Sequence, residues 1–226
     1  MAYFYYFIIG FGLIYIFWIL MKPEGSQLFQ KSDCELNFNK AENQYLRKLL
    51  ITNFIVYKLL GDEGRKLFEK RVCKFIKMKD FRAGKSIAEI TDEMRILVAA
   101  SAIQITYGYP KVYFNHFKTI ILFAEEYYSN ITGYYHEGEV NAGGAIVLSW
   151  KNFLSGFNDT TDGRNLALHE MAHALRLTNI VDNEEYDFFD RETMLEFEKQ
   201  AGIEMQLLGR GENSFFRSYA SANMEE

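Results

Sequence analysis

One helix-length segment, residues 166–175 (LALHEMAHAL), restricts the fold more than any other part of this chain. Helix positions i and i+4 share a face, so His169 and His173 can aim their imidazoles at one point. Their flanks (Leu166, Ala167, Leu168, Met171, Ala172, Ala174 and Leu175) are apolar, which predicts a helix buried on most sides. Two imidazoles and a carboxylate in such a helix are costly unless something satisfies them. A tetrahedral divalent ion, most often zinc and here one per chain, does so. Glu170, beside the first ligand, is placed to take the proton of its bound water. The same spacing also arises on metal-free surface helices, but those seldom carry apolar residues all round. Residues 162–165 (DGRN) supply turn and cap chemistry, so the helix is expected to start near Asn165.

The second strong constraint is residues 2–21 (AYFYYFIIGFGLIYIFWILM), which carry no charge. As a helix they would extend about 30 Å, the thickness of a bilayer's hydrocarbon core. No basic residue precedes the run and no small-residue cleavage site follows it, against a cleaved signal. The expectation is one transmembrane anchor over 1–22, a juxtamembrane linker over 23–43 and a single domain over 44–226. Lys22, Lys31, Lys40, Arg47 and Lys48 follow the span and none precedes it, which places the domain in the cytoplasm of a single-pass membrane protein. Cys34 and Cys73 form neither a CxxC pair nor a disulfide framework and fit a reducing compartment. The formal net charge of −5 argues against nucleic acid as a partner.

Apolar spacing predicts one helix over 42–60 and a basic amphipathic helix over 65–79, with Leu67, Phe68, Val72, Phe75 and Ile76 on its inner side. Residues 81–84 read as a loop. Thr91 reads as the cap of a helix running to Ile103. Residues 118–123 (KTIILF) and 145–150 (AIVLSW) read as strands. The order implies an α+β domain with a small sheet. The 145–150 strand, with Gly143 and Gly144 before it, is a candidate edge to which an extended peptide could add beside the metal.

A catalytic zinc takes three protein ligands and keeps one position for water. No histidine follows His173; His116 and His136 lie upstream and read as loop histidines. A carboxylate is therefore expected, from Glu184, Glu185, Asp187, Asp190, Glu192 and Glu196 up to Glu225 and Glu226. Spacing alone leaves that choice open.

Residues 91–100 (TDEMRILVAA), 146–150 (IVLSW), Gly156 and 162–173 (DGRNLALHEMAH), with Tyr219, Ala220 and 223–226 (NMEE), resemble the Mlc titration factor A family of zinc-dependent peptidases. The likeness runs from about residue 65 to the C-terminus. It implies a zincin-like, gluzincin-type domain in which a glutamate seven residues after a tyrosine completes the metal site. Carried over, that glutamate is Glu226, with Glu225 as its neighbour, and Tyr219 would donate a hydrogen bond to the developing oxyanion. The family's ligand helix continues beyond this glutamate whereas the chain stops on it, so either a C-terminal truncation or a naturally short chain is expected.

Two functions follow. The first is a membrane-anchored zinc metallopeptidase, aminopeptidase-like or endopeptidic, acting on a peptide or protein substrate through Glu170. The alternative is a binding module that sequesters a cytoplasmic regulatory protein with little proteolysis.

Overall fold

The computed structural model describes residues 41–109, 111–129, 133–158, 165–181, 185 and 188–210. The 2–21 segment, Cys34, Tyr219, Glu225 and Glu226 lie outside them. Among the described residues no helix is long and apolar enough to cross a membrane.

Three helices come first: α1 (Ala41–Asn53), α2 (Ile55–Leu59) and α3 (Asp62–Met78). The single helix predicted over 42–60 is thus divided at Phe54, whose backbone is extended (φ −119°, ψ 106°). At this junction the Asn53 side-chain amide donates to the Leu49 carbonyl at 2.9 Å, while the Phe54 N–H still donates to the Leu50 carbonyl at 3.0 Å. The bend seats Phe54 in the core, its ring 5.3 Å from Phe157 and 6.5 Å from Phe68. In α3, Phe68, Val72, Phe75 and Ile76 are buried as predicted, but Leu67 is 46% exposed. It lies one residue off the i, i+4, i+7, i+8 stripe that meets the core.

Residues 81–84 are not simply a loop, since β1 (Asp80–Ala83) pairs in parallel with β2 (Thr119–Phe123). The short, mostly exposed DFRA run lacks the apolar alternation that announces a strand. Just past it, the Gly84 N–H donates to the Leu122 carbonyl at 2.7 Å, and a side chain there would meet the Phe123 ring at 2.8 Å. Helix α4 (Asp92–Ile105) starts where Thr91 predicts, the threonine Oγ1 accepting from the Met94 N–H at 3.3 Å. Every residue from Ile96 to Ile103 is buried, so α4 is the central helix of the core.

A two-stranded ribbon, β3 (Tyr127–Tyr128) and β4 (Tyr135–His136), leads into β5 (Gly138–Asn141) and β6 (Ala145–Ser149). The four-stranded sheet has the order β1-β2-β6-β5, with β1, β2 and β6 parallel and β5 antiparallel to β6. Helices α5 (Trp150–Asn158), α6 (Leu166–Ile180) and α7 (Arg191–Gly209) follow. The result is a mixed helix-and-sheet domain. In it α6 lies between α4 on one side and β5 and β6 on the other.

Two polar fixtures hold the layers. Arg71 of α3 donates to the carbonyls of Thr106 (2.8 Å), Tyr107 (2.9 Å) and Tyr109 (2.9 Å), closing the C-terminal end of α4. Farther along, Phe114 takes a left-handed backbone (φ 54°) in the segment entering β2. That turn is pinned from both sides. Buried Glu185 accepts from the N–H groups of Tyr113 and Asn115, the latter at 2.8 Å, and the Lys79 ammonium donates to the Phe114 carbonyl at 2.6 Å.

Candidate metal centre and its neighbours

Helix α6 begins where the sequence predicts. Asn165 caps it, its Oδ1 accepting from the Leu168 N–H at 3.0 Å, while its amide donates to the Gly156 carbonyl at 3.3 Å and ties α6 to α5. The helix is less enclosed than its apolar flanks suggest. Ala167, Glu170, Met171, Ala174, Leu175 and Thr178 are buried, whereas Ala172, His173 and Arg176 are exposed. One stripe packs into the protein and the histidine side opens outward. Small residues set that spacing: Ala167 and Ala174 on α6 and Ala99, Ala100 and Ala102 on α4 are fully buried, in helices that pack together.

The two imidazoles converge. Nε2 of His169 lies 3.1 Å from Nε2 of His173, with ring planes crossed at 82°. Two nitrogens each about 2.05 Å from one tetrahedral ion would be roughly 3.3 Å apart. The pair therefore fits zinc with only a small adjustment. Between them in sequence, Glu170 turns inward and is 6% exposed. Its side chain lies against Gly138 of β5.

Glu170 has a tyrosine neighbour, Tyr127, that the sequence did not single out. Tyr127 donates to Glu139 Oε2 at 3.2 Å and stacks on Phe123 at 4.7 Å. Burial raises its hydroxyl pKa, the charge and hydrogen bond of Glu139 add to this, and the nearby Glu170 charge adds further. Tyr127 is thus held as the neutral phenol. His136, expected in a loop, lies on β4 with its ring 6.2 Å from that of Tyr127. His116 bonds the Ala142 carbonyl through Nε2 at 2.9 Å, in the turn between β5 and β6.

The carboxylates considered as third ligand separate clearly. Glu185 holds the Tyr113 and Asn115 amides. Asp190 caps α7, accepting from the N–H and hydroxyl of Thr193, both at 2.9 Å, and the Thr193 amide holds its pKa down. Glu192 and Glu196 are exposed on α7, Glu196 facing Lys199 at 3.7 Å. Among the described residues no group of three or more His, Cys, Asp or Glu side chains is poised to hold an ion. Glu184, Asp187, Glu225, Glu226 and Tyr219 lie outside the described residues.

The expected docking strand needs correction. Residues 145–149 form β6, which is paired on both sides, with β2 and with β5. Its backbone has no free edge to offer a peptide. The outer strand next to α6 is β5, a four-residue segment beginning with glycine and lacking an apolar run, so no sequence period marks it.

Comparison with known proteins agrees with this geometry. An uncharacterized protein of Synechocystis sp. is 27% identical over 131 residues, covering 53% of this chain and 47% of its own length. The chain thus spans about half the length of the curated relative it matches. The model of the glucose-regulated metallo-peptidase M90 family matches residues 30–226, nearly the whole chain and the complete His169–His173 helix included. With converging imidazoles, a buried glutamate between them and that match, the chain belongs to the glucose-regulated metallo-peptidase M90 family.

Proposed function

We propose that this protein is a membrane-anchored zinc metallopeptidase that hydrolyses peptide bonds. The observation that carries the reading is the 3.1 Å approach of the two Nε2 atoms beside a buried Glu170. His169 and His173 would hold the ion, with Glu226 as the third ligand implied by the family resemblance. When bound, zinc supplies Lewis acidity toward the scissile carbonyl and toward a water molecule.

The chain's own residues do the remainder. Glu170 receives the water proton and delivers it to the leaving amine, a role served by its enclosure between α6 and β5. Among the described residues β5 has no strand on its outer side, so an extended substrate can add there and run past Glu170. Tyr219 would donate to the oxyanion. The apolar 2–21 segment would anchor the domain to the bilayer, with the peptidase domain on the cytoplasmic side.

The test is Glu170→Gln. This variant should bind one zinc per chain by elemental analysis and lose at least 10³-fold in turnover of a peptide panel. Undiminished turnover would defeat the assignment of the base. If the wild-type zinc protein cleaves nothing while the variant still captures a cytoplasmic protein, the sequestering role displaces the hydrolytic one.

A further inference from the structure

We propose that Gly138 is a positioning residue for Glu170, its missing side chain forming the slot that holds the glutamate beside the metal-binding imidazoles. The proposal rests on the peptidase reading for its consequence in turnover, but its geometry stands by itself. A Cβ built on Gly138 would lie 2.6 Å from Glu170 Oε1, 2.7 Å from Cδ and 2.7 Å from Cγ. The glutamate therefore occupies the space that any other residue on β5 would fill. Because Cγ is involved as well as the carboxylate, rotating the terminal group alone cannot relieve the overlap. The side chain would have to change χ1 or χ2 and carry its oxygens elsewhere.

The backbones on both sides resist an alternative escape. Gly138 pairs with Leu148 and Glu139 with Val147, so withdrawal of β5 breaks its register with β6. Helix α6 packs on α4, and its Ala167, Met171 and Ala174 are fully buried. Gly138 does not need glycine for its own conformation: among the described residues the positive-φ glycines are Gly133 and Gly144. Alanine is therefore acceptable to the strand and unacceptable to Glu170. This separates a positioning glycine from a turn glycine.

The experiment is a double-mutant cycle with a structural readout. Gly138→Ala should retain one zinc per chain and its KM while kcat falls about 10- to 100-fold, the loss expected from a displacement of about 1 Å. Glu170→Ala is slow in its own right, but it removes Cγ, Cδ and the carboxylate oxygens and so vacates the slot. Adding Gly138→Ala to it should cost less than threefold. Equal losses in the two backgrounds would overturn the proposal. A crystal structure of Gly138→Ala should show the Glu170 carboxylate moved by 1 Å or more; an unmoved carboxylate would also overturn it. That readout needs no activity, so a wild-type protein that cleaves nothing sinks the peptidase reading and leaves Gly138 to be decided by crystallography. If Gly138→Ala does not fold, Gly138→Ala/Glu170→Ala decides. Recovery of folding supports the slot, and persistent misfolding shows that the added methyl meets something else.

Discussion

Removing the Glu185 carboxylate should unfold this domain far more readily than removing any carboxylate on α7. Glu185 is 7% exposed and accepts from two backbone amides, Tyr113 and Asn115, which flank the left-handed Phe114. A hydrogen bond to a charged acceptor contributes about 1.5–3 kcal/mol, and a buried amide left without a partner costs about 1–3 kcal/mol. These are two views of one loss, so the two bonds together set about 3–6 kcal/mol for Glu185→Ala. For a chain of this size each kcal/mol corresponds to about 2–4 °C in Tm, and the expected fall is about 6–24 °C. Glu185→Gln should recover only part of this, because its NH₂ group would confront one of the two N–H donors. Urea unfolding followed by far-ultraviolet circular dichroism measures the change, with exposed Glu196→Ala as the control expected within about 0.5 kcal/mol. A Glu185→Ala loss below about 1 kcal/mol would refute the reasoning, since the turn would then stand without its carboxylate.

Two further outcomes follow from the same structure. Burial brings the Lys79 pKa down from 10.5 to about 7, Glu185 opposing the shift and Lys118 adding to it. The unfolded chain then binds more protons than the native one between about pH 7 and pH 10.5, so this group adds stability as pH rises through that window. The Tm of the wild type should accordingly climb relative to Lys79→Met from pH 7 to pH 10, and parallel curves would reject the assignment. On α7, nothing lies within 4 Å of a Cβ added at Gly202. Gly202→Ala should therefore stabilise the protein by about 0.5–1 kcal/mol in urea without altering peptide turnover, and a loss of stability would show that the helix is packed there.

Much of the helical half could be read from sequence because local chemistry decides it. Thr91 and Asn165 cap the helices they were expected to cap, and the i, i+4 histidines converge because helix periodicity leaves them no choice. The β half was less visible. The runs at 119–123 and 145–149 are apolar enough to announce strands, but which of them is an edge depends on partners far away in sequence. β1 and β5 are short and polar or glycine-led, so their extended state comes from pairing rather than from residue preference. Gly138 illustrates the same limit. In sequence it is one glycine of a glycine-rich stretch, and only the arrival of α6 gives its missing side chain a purpose. Leu67 failed for a smaller reason: it sits at the margin of a stripe whose width depends on how closely the neighbouring helix approaches.

The three carbonyls gathered by Arg71 have a consequence for how the molecule breathes. Fraying the last turn of α4 would strand a guanidinium that is only 2% exposed, so that end cannot loosen while α3 stays in place. The two helices must open together or not at all, and their amides should exchange with solvent as one slow block. The histidine-bearing helix, packed on α4, thus rests on an unyielding floor.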